Sequence, residues 1–153
     1  MKTIMRDRAR QRLDERLSGI KPTDRFQPPS KGWIRAIRDA LGMTGAQLGK
    51  RLGVTPQTVE AMQKSEASGS IQLATLRRAA EALGCTLVYA LVPNTSFEDA
   101  VQQRARKIAM RDLARVAHSM KLEAQATGDA DKEARIEAYI RDAVKDRDLW
   151  NEL

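Results

Sequence analysis

Apolar positions recur at helical spacing along most of the chain, in short blocks punctuated by glycine and proline. Over residues 3–19, Ile4, Ala9, Leu13 and Leu17 stand among Arg6, Arg8, Arg10, Arg12 and Arg16, which predicts an amphipathic helix that stops at Gly19. Residues 21–31 hold three prolines and cannot continue it. They read as a linker or an extended arm, with Phe26 placed to pin it to the domain that follows.

From Gly32 to Pro93 the blocks shorten. Trp33, Ile34, Ile37 and Leu41 make one apolar face, with Trp33 expected in the core and Gly42 closing the helix. Thr44 is a good N-cap for a second helix carrying Ala46, Leu48 and Leu52, which Gly53 ends. Thr55 caps a third, with Pro56 at its first position, where a missing N–H costs nothing. Val59 and Met62 face inward from it, and a Ser/Gly-rich loop is expected over residues 65–70. Leu73, Leu76, Ala79, Ala80 and Leu83 form the next apolar face, ending at Gly84.

Residues 85–92 (CTLVYALV) change character. Their β-branched and aromatic residues, bounded by Gly84 and Pro93, read as a strand without a mate elsewhere in the chain. Ladder groups must pair somewhere, so Leu87, Val88, Tyr89 and Leu91 are assigned to a small intermolecular sheet in a homodimer. From Ser96 onward helical spacing returns without a proline. Ser96 is a cap, and Val101, Ile108, Leu113 (or Met110), Val116 and Met120 mark a buried face. A turn at Thr127-Gly128-Asp129 leads into a second helix over roughly 130–149, with Ile136, Tyr139, Ile140, Ala143 and Val144 inward. So short a turn predicts an antiparallel hairpin.

Charge then separates these blocks. The formal net charge is +7, and residues 1–31 carry +5, residues 32–93 carry +3 and residues 94–153 carry −1. A basic first two thirds invites an anionic partner, while a balanced helical block suits protein contact or a solvated face. Aromatic residues make up only 4% of the chain, too few for a typical β-sandwich core. No apolar run is long enough to span a membrane, and the charged N-terminus lacks the apolar centre of a secretory signal. The single cysteine, Cys85, excludes an intrachain disulfide framework and suits a reducing cytoplasm. With one histidine, His118, there is neither a zinc set nor a local catalytic dyad. The expectation is a protein without cofactor or metal that is not an enzyme.

The stretch TGAQLGKRLGVTPQTVEAMQK, beginning at Thr44, carries the functional signal. Two short helices meet across Gly53, which supplies a left-handed turn, and Gly49 sits where the helices must approach closely. That spacing is a helix-turn-helix, whose second helix enters the major groove of double-stranded DNA by its N-terminal end. Thr55, Pro56, Gln57, Thr58 and Ala61 would then face outward. Residues 47–55 and the later TLRRAAEALG resemble the Cro/repressor-type helix-turn-helix family, often called XRE, while Pro56, Gln63 and Ser65 depart from residues common there. The resemblance implies that Gln57 reads a base, as a carboxamide does with adenine. It implies that Thr55 and Thr58 meet phosphate or a thymine methyl. Lys50, Arg51 and Lys64 would hold phosphates, helped by the chain around Thr44 and Gly45 and by Gln47.

Over its whole length the chain resembles the family named mobile mystery protein A, through its basic helical N-terminus, GWIRAIRDALGMTGAQLGKRLGV, TLRRAAEALGCTLVYALVP and a charged helical tail. That resemblance implies an antitoxin-like regulator paired with a Fic-domain protein. Ser119-Met120-Lys121-Leu122-Glu123 meets the first part of a Fic-inhibitory motif, and Ala124 departs from its end. Leu149, Trp150 and Leu153 are expected to extend past the hairpin packing as anchors for a second chain.

The expected fold is all-α. A five-helix, lambda-repressor-like domain with one short C-terminal strand (residues 32–93) follows a basic helix and Pro-rich linker (1–31) and precedes a charged helical hairpin (94–153). The leading function is a sequence-specific DNA-binding transcriptional regulator. Its rival is an interaction module that neutralises an enzyme, its helix-turn-helix serving dimerisation; RNA binding, with few aromatics for stacking, ranks third.

Overall fold

The computed structural model describes residues 2–119 and 128–151. Among these it holds seven α-helices: α1 (Lys2–Ser18), α2 (Trp33–Ala40), α3 (Gly45–Leu52), α4 (Pro56–Ala67), α5 (Leu73–Ala82), α6 (Phe97–Ser119) and α7 (Asp129–Ala143). Two 3-10 turns, Thr23–Phe26 and Asp146–Asp148, complete the regular structure. The chain forms two compact units. Pro22–Leu91 is the central unit, and Met1–Lys21 with Val92–Leu153 is the terminal unit.

In the central unit each α-helix contributes to one core. Ile34 of α2, Leu48 of α3, Val59 of α4, Ala79 of α5 and Leu83 are buried, with Ile37, Leu52, Met62 and Leu76 packed around them. The helices are short because each has a defined start and stop. Thr44 and Thr55 both take extended backbone and accept from the residue three positions on. Gly53 leaves α3 in the left-handed region at φ +70°. A Cβ at Gly49 would lie 2.6 Å from the Val54 carbonyl oxygen, so only glycine lets the turn close on α3.

The central unit departs from expectation in several places. It holds four α-helices and a 3-10 turn rather than five helices. Residues 85–92, where the short strand was expected, are neither helix nor strand. The β-branched residues resist helix, and no strand occurs among the described residues to complete a ladder. The serine-rich stretch begins later than its composition suggests, because α4 runs on to Ala67. Trp33 is 42% exposed rather than core, and Leu41 is exposed as well. Both stand at the ends of the eight-residue α2, Trp33 at its first position and Leu41 at its C-cap, while Ile34 and Ile37 between them pack on the core.

The terminal unit joins α1, α6 and α7. Val101, Ala105 and Ile108 of α6 pack with Ile140, Val144 and Leu149. Leu149 is only 4% exposed, so it is a core residue of this unit and not an anchor beyond it. Its burial follows from the early end of α7 at Ala143. Val144 leaves the helix with extended backbone, and the chain turns back through Asp146–Asp148 onto α6. Arg104 secures that return by donating from Nε to the Leu149 carbonyl at 2.6 Å. Val116 is exposed, and so is Met110, whereas Leu113 is half-buried. Asp112 links the two long helices: it accepts from Arg111 Nε at 2.8 Å and from the Tyr139 hydroxyl at 3.0 Å. The Arg111 bond, aided by Tyr139, holds the carboxyl below its ordinary range.

Polar contacts attach α1 more than its leucines do. Asp14 accepts from the backbone N–H groups of Phe97 (2.7 Å) and Glu98 (3.2 Å), capping α6. Ser96 accepts from Asp99 N at 2.9 Å in the same turn. Ile4 and Leu13, two of the apolar positions in the amphipathic pattern, are exposed, and Arg10, Asp14 and Leu17 occupy the partly covered side. Met120, Leu153 and the 119–123 motif lie outside the residues whose side chains are described, and so does Thr127.

Candidate nucleic-acid interface

The α3–turn–α4 segment brings the candidate residues to one surface, and all ten of them are exposed: Thr44, Gln47, Lys50, Arg51, Thr55, Pro56, Gln57, Thr58, Ala61 and Lys64. Beneath them Leu48 and Val59, almost fully buried, fix the two helices against the core. At the start of α4 the Thr55 hydroxyl accepts the Thr58 N–H at 3.1 Å and lies 2.9 Å from the Thr58 hydroxyl. Pro56 follows with its backbone already suited to a first turn. Gln57 projects from this stiffened turn without a hydrogen bond to any described residue, leaving its donor pair and its acceptor available.

The other candidates differ in how committed they are. Gln47 and Thr44 form a reciprocal capping box: Gln47 N donates to the Thr44 hydroxyl at 3.1 Å, and Thr44 N to Gln47 Oε1 at 2.8 Å. Gln47 therefore has one acceptor site of its oxygen engaged, while its NH₂ stays available to an outside partner. Arg51 Nη1 donates to the Ala82 carbonyl at 3.2 Å, and Arg78 Nη2 to the Leu52 carbonyl at 3.3 Å. Each arginine thus satisfies the C-terminal end of the other's helix. Lys64 pairs with Glu60 at 3.0 Å, both exposed, a contact worth little in water. Lys50 makes no such bond, and it lines an open depression with Gln47, Arg51 and Met43.

Two further residues, Glu66 and Arg38, support this surface. Glu66 caps α2 through the N–H groups of Trp33 and Ile34. Arg38 bridges Gln63 Oε1 at 3.0 Å and the Met43 carbonyl at 2.7 Å, steadying the entry to α3. Gln47's cap had a local signal, since Thr-x-x-Gln is a capping box on sight; Glu66 and Arg38 reach across the fold and had none. No cluster of His, Cys, Asp and Glu suited to a metal ion occurs among the described residues.

This is the geometry of a helix-turn-helix DNA-binding domain, with a first helix, a glycine-bearing turn and a second helix presented by its N-terminal end. A family model described as Helix-turn-helix matches residues 34–89, covering most of the central unit and supporting the Cro/repressor type. No curated protein and no solved structure matches the chain. No helix among the described residues is long and apolar enough to cross a membrane.

Proposed function

We propose that the protein is a sequence-specific, cytoplasmic regulator of transcription that binds double-stranded DNA as a homodimer and controls its own operon. The observation that carries this reading is Gln57, held on the rigid first turn of α4 with its carboxamide uncommitted. It approaches an adenine edge, Thr55 and Thr58 contact phosphate or a thymine methyl, and Lys50 and Lys64 neutralise phosphates. Two copies meet through residues 85–92, placing two α4 helices about 34 Å apart. Selection of bound sequences from a random duplex pool tests the reading. A reproducible twofold-symmetric site is expected, and Gln57→Ala should relax one position in each half by about 1–3 kcal/mol of discrimination. A pool that shows no enrichment overturns it.

A second reading concerns the terminal unit. An open groove of about 660 Å³ between α6 and α7, lined by Val101, Ile140 and Val144 with the Arg106–Glu133 pair, suits a protein partner. With the whole-chain resemblance, this supports an antitoxin-like partnership with a Fic-type enzyme. Co-purification of the two proteins, with loss of nucleotidyl transfer by the enzyme, is the expected result. An enzyme that neither binds nor is inhibited removes this reading and leaves DNA binding intact.

A further inference from the structure

The structure sorts the five arginines of α1 into two groups. Arg6 pairs with Asp146 at 3.2 Å, and Arg10 pairs with Glu98 at 3.0 Å and with Asp7. These two neutralise charge within the terminal unit. Arg8, Arg12 and Arg16 are exposed and make no hydrogen bond or ion pair with any described residue. They follow one another at four-residue intervals, so they form a stripe on one side of the helix, away from the Arg10–Asp14–Leu17 side that meets α6. Glu15, one residue before Arg16, pairs with none of the three.

Like charges spaced i, i+4 destabilise a helix, so the stripe works against α1 unless an external anion answers it. At 1.5 Å rise per residue the three guanidiniums are about 6 Å apart along the axis and extend over about 12 Å. Duplex DNA presents a charge for about every 1.7 Å of its axis, so such a line meets several phosphates together. The guanidinium fork suits phosphate oxygens better than an ammonium does. The exposed apolar residues on this side of α1, Ile4, Met5, Ala9 and Leu13, alternate around the helix with the arginines and form no continuous apolar face of the kind a membrane-surface helix presents.

We propose that Arg8, Arg12 and Arg16 form a second, sequence-independent phosphate-binding surface that engages duplex DNA flanking the site read by α4. The proposal rests on the DNA-binding reading of the central unit. It divides the labour of binding: α4 supplies sequence preference, and α1 supplies affinity that depends on salt and on duplex length.

The test compares the full chain with its R8Q/R12Q/R16Q variant on two duplexes. One is the minimal selected site; the other adds about one helical turn, 10 bp, of arbitrary sequence on each side. On the longer duplex the variant should lose up to about 2.7 from the slope of log affinity against log salt, or about 0.9 for each phosphate it no longer engages. On the minimal site the slopes should coincide, and the order of preferred sequences should not change. A charge-retaining R8K/R12K/R16K variant should keep most of the slope. If lysine loses as much as glutamine, the arginines are structural and the proposal falls. Equal slopes on the longer duplex, with sequence selection retained, overturn this proposal alone. A wild-type chain that selects no sequence overturns the α4 reading beneath it. Arginine-dependent binding to phosphatidylserine vesicles, with no effect of flanking DNA, assigns the stripe to a membrane and overturns the proposal too.

Discussion

The Glu66 carboxylate accepts the backbone N–H of Ile34 at 2.9 Å and, through its other oxygen, that of Trp33 at 2.7 Å. A side chain from the last turn of α4 thus closes the first turn of α2. The neighbouring Gly32, at φ +82°, is held so near that a Cβ there would lie 2.7 Å from Glu66 Oε2. The terminal unit repeats the device with Asp14 on the amides of Phe97 and Glu98. In each unit a carboxylate meets the positive end of another helix, where two charge-assisted bonds and the helix dipole act together.

Glu66→Ala should lower the stability of the central unit by about 1–3 kcal/mol, because two amides lose an ionised acceptor. Glu66→Gln should lose less, since one oxygen still accepts. Neither change touches α4's outward face, so the selected DNA sequence should be the same once the chain is folded. Urea unfolding and a repeat of the selection measure the two effects. A shifted base preference would show that Glu66 acts on the recognition surface rather than on the placement of α2.

Gly49→Ala places a Cβ against backbone, 2.6 Å from the Val54 carbonyl oxygen, and a carbonyl in a tight turn has little room to move. A loss of about 1–3 kcal/mol is expected, with weaker binding to every duplex as α4 shifts against α3. Gly45→Ala is the control. It sits at the first position of α3, where an added methyl would meet nothing within 4 Å and φ is not positive. It should be neutral or stabilising by up to about 1 kcal/mol. Thermal melts that rank the two variants the other way would contradict the close approach at Gly49.

The local part of this design was legible in residue order. Thr44, Gly53 and the Thr55-Pro56 pair act within a few positions of themselves, and each has the cap or turn its type suggests. Gly49 was legible because a helix-turn-helix leaves no space at that point. Glu66, Arg38 and Asp14 were not, since their partners depend on how helices pack and no periodicity encodes that. Leu149 and Trp33 exchanged expectations for the same reason. Leu149's burial depends on the chain turning back after Ala143, and Trp33's exposure on a short α2 with room for few inward residues. The strand over residues 85–92 is absent from the single chain on different grounds: a ladder needs two segments, and no other strand occurs among the described residues.

Arg51 and Lys50 are adjacent in sequence and should respond differently to removal. Lys50→Ala deletes an uncommitted charge, so folding should be unaffected and the salt slope should fall by about 0.9. Arg51→Ala also removes the bond to the Ala82 carbonyl, and with it one half of the reciprocal Arg51/Arg78 arrangement between α3 and α5. It should cost about 1 kcal/mol of stability in addition to any loss of DNA affinity. Parallel unfolding and salt-titration series separate the two. Equal stability for both variants would mean that the Ala82 bond contributes nothing in solution.

Residues 85–92 carry the contact proposed to join two copies of the chain. Val88 is 81% exposed and Leu91 86%, and from Thr86 to Val92 no backbone N–H donates to a described residue. Tyr89 is exposed too, while Leu87 turns toward a small apolar groove with Phe26, Trp33, Leu76 and Leu83. An apolar segment with unpaired amides is an open edge, and edges of this kind recruit a copy of themselves unless something blocks them. Because the Val88 N–H bonds to no described residue of the chain, Val88→Pro removes no intramolecular hydrogen bond and should leave the melting temperature of the monomer unchanged. In a twofold antiparallel pair the same change deletes a ladder donor and adds a ring at the contact. Sedimentation should therefore find the parent protein dimeric and Val88→Pro monomeric, with DNA affinity falling as the second half-site is lost. A parent protein that stays monomeric at the concentrations where it binds DNA would place its half-site pairing on some other surface.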